Sequence, residues 1–213
     1  MELFVYALLI LTSVVSLAFI VERGFALRWR RVVPSEIEGA VESCQSSAEV
    51  PMLTRVCQQH NSPMSRLLLF AVEHLDWPKA ENVNAIQTRA RHEMARLERG
   101  LVVLEIIVGI APLLGLVGTI IGMMTLFGNI GQSGLNDASL LAKGIALILN
   151  TTLMGLLIAI PSLVFWSYYS KKVETLAVEM ENLCDEFMRR QYRDEIQSLN
   201  SKVPSPQIET TVS

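Results

Sequence analysis

Three long runs of apolar residues, separated by charge-dense stretches, organise this chain. The first extends from Leu3 to Val21 and is interrupted only by Thr12, Ser13 and Ser16. The second runs from Ile106 to Phe127, with Leu101 to Leu104 extending it past Glu105, and the third from Gly144 to Trp166. At 1.5 Å of rise per residue, each is long enough to cross a hydrocarbon core of about 30 Å. Lipid offers the backbone no hydrogen bonds, so such segments must be helices. The pattern predicts an all-α membrane protein with three transmembrane helices, the second and third extended into the cytoplasm, and a helical cytoplasmic loop.

Helix signals recur between the runs. Ser35 and Glu38 have capping-box spacing behind Pro34, and Ser62 precedes Pro63 as a cap precedes a first helical residue. Asp76-Trp77-Pro78 predicts a break and a new helix. From Lys79 onward only Pro112 and several glycines oppose one continuous helix to Gly128, about 70 Å long. After Lys172, residues Val173, Leu176, Ala177, Met180, Leu183, Cys184 and Phe187 recur at three- and four-residue steps, an apolar stripe for the loop helices or a neighbouring subunit. Past Leu199, Pro204, Pro206 and many Ser and Thr residues predict disorder. The expected division is 1–22 (first span), 23–99 (cytoplasmic helical loop), 100–169 (second and third spans with a short periplasmic link), 170–199 (cytoplasmic helical extension) and 200–213 (disordered tail).

Charge gives these segments an orientation. Glu2 precedes the first run and Arg23, Arg28, Arg30 and Arg31 follow it, the reverse of a cleaved signal peptide. Arg89, Arg91, Arg96 and Arg99 precede the second run, and Lys171 and Lys172 follow the third. The 128–140 link carries no basic residue, and only Lys143 sits on that side. The positive-inside rule then places 22–100 and the chain after Tyr168 in the cytoplasm. Composition agrees: 51% of the 213 residues are apolar and 18% charged. A net charge of −3 with basic residues clustered at the spans points to topology rather than to nucleic acid. Cys44, Cys57 and Cys184 lack metal or redox spacing and read as reduced, buried thiols. His60, His74 and His92 read as solvated helix residues. No nucleophile–base pair, phosphate loop or metal set is visible, so neither an enzyme nor a cofactor is expected.

On a helical projection, Ala111, Gly115, Gly118, Thr119, Gly122, Thr125 and Asn129 share one face of the second span. Gly144, Thr151, Thr152, Gly155, Ala159 and Ser162 share a face of the third. Close helix packing explains small residues at such positions. A narrow polar lane, for a proton or a partner helix, is the other reading, and it accounts better for Asn150, Thr151 and Thr152 in sequence at mid-membrane. No ionisable residue lies in the central part of any span. Glu105, near the cytoplasmic end of the second, reads as an interfacial carboxylate paired with a nearby arginine. A proton-handling role therefore requires a titrating group from another chain.

Leu97-Glu98-Arg99-Gly100-Leu101 running into Ala111-Pro112-Leu113-Leu114-Gly115-Leu116-Val117-Gly118-Thr119 resembles the second span of the MotA/TolQ/ExbB proton channel family. Thr151-Thr152-Leu153-Met154-Gly155 through Ala159-Ile160-Pro161 resembles that family's third span, and the whole is most similar to the ExbB and TolQ branches. The resemblance implies a homopentamer in the bacterial inner membrane, N-terminus periplasmic and C-terminus cytoplasmic, around single-span partners of the ExbD/TolR type. It implies that the partner supplies an aspartate and the pentamer supplies threonines, here Thr119 and Thr152, with Thr151 and Asn150 as further lining. Pro112, Gly115, Gly118, Gly122, Gly155 and Pro161 fall to helix packing. Proton flow would then drive mechanical work on the envelope, such as outer-membrane transport, with a TonB/TolA-like energy transducer as a further partner. The chain departs from the pattern at Leu147, where ExbB and TolQ carry a glutamate. That departure leaves a second reading open: a non-conducting membrane scaffold of the same fold that anchors partner proteins.

Overall fold

The computed structural model describes residues 2–133 and 138–202, with side chains placed for 3–128 and 141–193. Among these residues the regular structure is entirely helical: α1 Glu2–Ala26, α2 Trp29–Val32, α3 Ser35–Ser43, α4 Val50–Gln59, α5 Pro63–Glu73, α6 Lys79–Glu98, α7 Leu101–Ser133 and α8 Ala138–Lys202. A short 3-10 turn, Ser47–Glu49, precedes α4. Helix α8 reaches three residues into the 200–213 segment expected to be irregular. Residues 203–213 and the side chain of Asn129 lie outside the described residues.

The chain forms two compact units, residues 1–28 with 95–174 and residues 29–94 with 175–213. In the first, α1, α7 and the first part of α8 are each long and apolar enough to cross a membrane. Only 17%, 33% and 28% of the most apolar stretch of each is buried within the chain. Such an excess of outward-facing Leu, Ile, Val and Phe is compatible with lipid or other apolar helices, not with water. This is a multi-pass membrane protein.

The three membrane helices meet through small side chains. Ala111 of α7 and Ala159 of α8 pack with Ile107, flanked by Val15 of α1. The hydroxyls of Ser16 and Ser162 hydrogen-bond at 2.6 Å. Tyr169 Oη donates to the Ile20 carbonyl at 2.9 Å, occupying space left free by Gly24.

The continuous helix expected from Lys79 is interrupted by one turn at Arg99–Gly100. The guanidinium of Arg23 fills the space of the missing Gly100 side chain, with Nε 1.8 Å from where a Cβ would stand. Arg23 also donates to the Leu97 carbonyl at 3.4 Å and pairs with Glu22 at 3.2 Å. Glu105 does not find the expected arginine; it is exposed and makes no ion pair among the described residues.

In the second unit, Ser62 caps α5 as expected, accepting a hydrogen bond from the Ser65 amide at 3.1 Å, with Pro63 at the first helical position. The capping box predicted at Ser35 and Glu38 is not formed: Pro34 is the cap residue, and Ser35 already lies inside α3. The box occurs instead at Ser46 and Glu49. The stripe on α8 is buried within the chain, with Leu176, Met180, Cys184 and Phe187 all under 4% exposed. Buried Asn82 donates to the Ala71 carbonyl and to Tyr192 Oη, which donates in turn to the Trp77 carbonyl. Glu93, 1% exposed, receives Arg66 Nη2 at 2.6 Å and Nε at 3.1 Å. All three cysteines are free and buried.

Candidate functional site

The small faces of α7 and α8 lie against each other closely enough that no side chain fits between them. A Cβ on Gly155 would stand 2.6 Å from the Ala111 carbonyl oxygen and 3.2 Å from Gly115 Cα. One on Gly115 would stand 3.0 Å from Thr151 O and from Thr152 Cα. One on Gly118 would meet Thr151 Oγ1 at 2.9 Å, and one on Gly122 would meet Ile148 Cγ1 at 2.6 Å. At Gly155 and Gly115 backbone meets backbone, the arrangement that small residues permit in membrane helices, while Gly118 and Gly122 receive the side chains of Thr151 and Ile148. Pro112 and Pro161 are both accommodated inside their helices. Each removes the amide that would bond the carbonyl four residues earlier. Pro112 is half-buried and Pro161 exposed.

Three threonine hydroxyls gather where the helices are closest. Thr119 Oγ1 lies 3.0 Å, Thr152 Oγ1 3.2 Å and Thr151 Oγ1 3.3 Å from the Gly115 carbonyl oxygen. Thr119 and Thr152 also hydrogen-bond to each other. The Gly115 carbonyl has two lone pairs, and helix geometry already assigns it the Thr119 amide. Three hydroxyls and an amide therefore compete for two acceptor sites. Thr151 has an alternative, the Ile148 carbonyl at 2.7 Å. Thr119 and Thr152 are left to share one remaining lone pair and each other. One proton of the pair then rests on the Gly115 carbonyl and the other on the neighbouring hydroxyl, and the second is the one that can exchange that hydroxyl for another acceptor.

The structure brings some of the projected residues together and turns others elsewhere. Thr119, Thr151, Thr152, Gly115, Gly118, Gly122 and Gly155 come together. Asn150 does not join them: one residue from Thr151 is a 100° rotation, and its side chain is exposed. Thr125 is exposed and bonds back to the Ile121 carbonyl. Ser162, assigned to the same face, turns instead to Ser16 of α1, a contact that a single-helix projection cannot find. Leu147 is 53% exposed on α8. Among the described residues no three His, Cys, Asp or Glu side chains come together as a metal-binding group.

Outside the spans, burial pushes the Cys57 thiol up to about 11. Cys44 is also raised, by burial and then by Glu49, with Arg190 opposing. Buried, protonated thiols of this kind are structural rather than reactive.

Residues 59–182 match the family model described as the MotA/TolQ/ExbB proton channel family. Among curated proteins, the chain is 31% identical over 144 residues to a putative biopolymer transport protein ExbB homolog of Methanothermobacter thermautotrophicus, covering 68% of this chain and 51% of that protein. It is 34% identical over 158 residues to a putative biopolymer transport protein ExbB-like 1 of Synechocystis sp., covering 71% and 61%. It is 37% identical over 81 residues to the biopolymer transport protein ExbB of Helicobacter pylori, covering 38% and 56%. The chain thus spans between half and three-fifths of the length of these relatives.

Proposed function

The chain belongs to the MotA/TolQ/ExbB proton channel family, and we propose that it is the pentameric inner-membrane subunit of a proton-motive-force-driven motor. In this reading five copies surround single-span partners of the ExbD/TolR type. The N-terminus lies in the periplasm, while the 23–99 loop and the chain from residue 170 lie in the cytoplasm. Proton flow does mechanical work on the envelope, energising outer-membrane transport through a TonB/TolA-like transducer.

One observation carries this reading: the Thr119–Thr152 hydroxyl pair at the over-subscribed Gly115 carbonyl. A hydroxyl both donates and accepts, so the pair suits either state of a carboxyl group brought by a partner. Facing an ionised aspartate, a threonine donates the proton it otherwise gives to its neighbour. Facing a protonated one, it accepts. The central parts of the spans contain no Asp, Glu, Lys, Arg or His, so the charge that moves must be the partner's. Threonine hydroxyls do not ionise themselves, so they orient and solvate the acid without holding its proton.

The test is Thr119→Val combined with Thr152→Val, which preserves shape and removes both hydroxyls. Proton flux is measured in vesicles carrying the chain and its aspartate-bearing partner, with assembly checked. Flux should fall at unchanged assembly. Full flux in the double variant overturns the motor mechanism. The exposed apolar Leu147 favours the scaffold reading instead, and wild-type vesicles that assemble but pass no protons would establish it.

A further inference from the structure

Tyr6 lies near the start of α1, and its Oη is buried without a hydrogen-bond partner among the described residues. A hydroxyl shut away from water and left unpaired is costly, and more so in a membrane unit than near an aqueous surface. Such an atom calls for a partner, and the structure provides room for one. Tyr6 lines a cavity of about 10 Å³, bordered by Gly118 and Gly122 of α7 and by Leu147, Ile148 and Thr151 of α8. The space is bounded closely: even a Cβ on Gly118 would touch Thr151 Oγ1 at 2.9 Å and Val5 Cγ1 at 3.1 Å.

That volume admits about one water molecule. A buried water needs two or more polar partners, and two of the residues that line this cavity, Tyr6 and Thr151, carry hydroxyls. Tyr6 Oη has both a proton and lone pairs uncommitted. Thr151 Oγ1 directs its single proton to backbone carbonyls, at 2.7 Å to Ile148 and 3.3 Å to Gly115, and retains lone pairs that can accept.

We propose that this cavity is a site for one ordered water bridging Tyr6 Oη and Thr151 Oγ1, which extends the threonine cluster from α7 and α8 to α1. Donation from the water holds the Thr151 proton on its carbonyls. Tyr6 is thereby a positioning residue: it keeps Thr151 committed and leaves Thr119 and Thr152 to the partner's acid. The role at the cluster rests on the motor reading; the water site itself does not.

Tyr6→Phe removes one oxygen and keeps the ring. In the reconstituted full chain, infrared difference spectra in H2(16)O and H2(18)O should show an isotope-sensitive O–H band from a sequestered water, and Tyr6→Phe should abolish it. The variant should also unfold more readily, with an unfolding constant raised about fivefold by loss of one net hydrogen bond. An absent band, a band that survives Tyr6→Phe, or stability unchanged or raised in the variant overturns the water site, since deleting a truly orphaned hydroxyl is stabilising. Flux in Tyr6→Phe vesicles should drop about fivefold for the same lost bond. Wild-type flux there, where the Thr119→Val/Thr152→Val protein is silent, overturns the role at the cluster. An active threonine double variant would instead sink the motor reading and leave the spectroscopic result standing.

Discussion

Gly155→Ala isolates the close approach of α7 and α8. The added methyl would lie 2.6 Å from the Ala111 carbonyl oxygen, whereas ordinary contact begins at 3.4 Å, so something must yield by about 0.8 Å. The obstacle is backbone, and no rotamer change relieves it. If the helices separate by that amount, the Thr151 and Thr152 bonds to the Gly115 carbonyl, now 3.3 and 3.2 Å, pass beyond hydrogen-bonding range. Overpacking costs about 1–3 kcal/mol, and each interhelical hydrogen bond in a membrane contributes about 0.6 kcal/mol, which sums to about 2–4 kcal/mol. Two comparisons calibrate this. Gly109→Ala, on the same α7 but with nothing within 4 Å, should be neutral or slightly stabilising through helix propensity. Gly100→Ala has the shortest approach of the three, 1.8 Å to Arg23 Nε, yet should cost less than Gly155→Ala because the far end of a flexible side chain can move away. Thermal unfolding in detergent, with assembly followed by size-exclusion chromatography, would rank the variants. Equal stability of Gly155→Ala and Gly109→Ala would refute the contact.

Glu93→Gln should loosen the second unit, because it removes the charge that Arg66 holds through two bonds to Oε2 at 2.6 and 3.1 Å. Arg66 is 31% exposed and can be rehydrated, so the expected cost is about 2 kcal/mol, at the lower side of charge-assisted bonds. Amide exchange in α5 and α6 should then accelerate about thirtyfold while α7 is unaffected, and unchanged protection would count against the pair. Cys57 should make stability fall at alkaline pH. Its folded value is pushed up from 9.0 to about 11 by burial, so the unfolded chain releases that proton first. The thiol's contribution is fully present below pH 9 and is lost between pH 9 and about 11. Melting temperature measured across that window should decline more steeply for the wild type than for Cys57→Val, and parallel curves would refute the assignment.

Much of this arrangement was legible in the sequence, and the parts that were not share a cause. Long apolar runs without charge identify the membrane helices because lipid leaves the backbone no alternative to internal bonding. Ser62 was legible because Pro63 marks the first helical position beside it. Ser35 misled because the same S-x-x-E spacing recurs at Ser46, and spacing alone cannot say which serine stands outside its helix. The seating of Arg23 over Gly100 and the turn of Ser162 toward Ser16 of α1 are contacts between residues far apart in the chain. A helical projection gives a direction from one axis and no knowledge of which helix lies that way. Tyr6 escaped notice for the same reason: in an apolar run it reads as one more large side chain.

The two sequence readings of the small-residue faces, packing and polar lane, prove to describe the same atoms. Gly115 lacks a side chain, so α8 can approach, and that approach brings Thr151 and Thr152 to the carbonyl beneath. A larger residue there would separate the helices and leave the hydroxyls without their shared acceptor. Close packing therefore creates the competition for the Gly115 lone pairs, and that competition leaves one hydroxyl proton held only by the neighbouring hydroxyl. The prediction is directional. Variants that separate the helices should also remove the threonine contribution to flux, so Thr119→Val/Thr152→Val should have little further effect in a Gly155→Ala background that still assembles. Thr119→Val/Thr152→Val in the native background leaves the Gly155–Ala111 contact in place and should spare most of the stability that Gly155→Ala loses. Full additivity of the two perturbations on flux would mean that packing and hydroxyls act separately, and the coupling argued from Gly115 would fail.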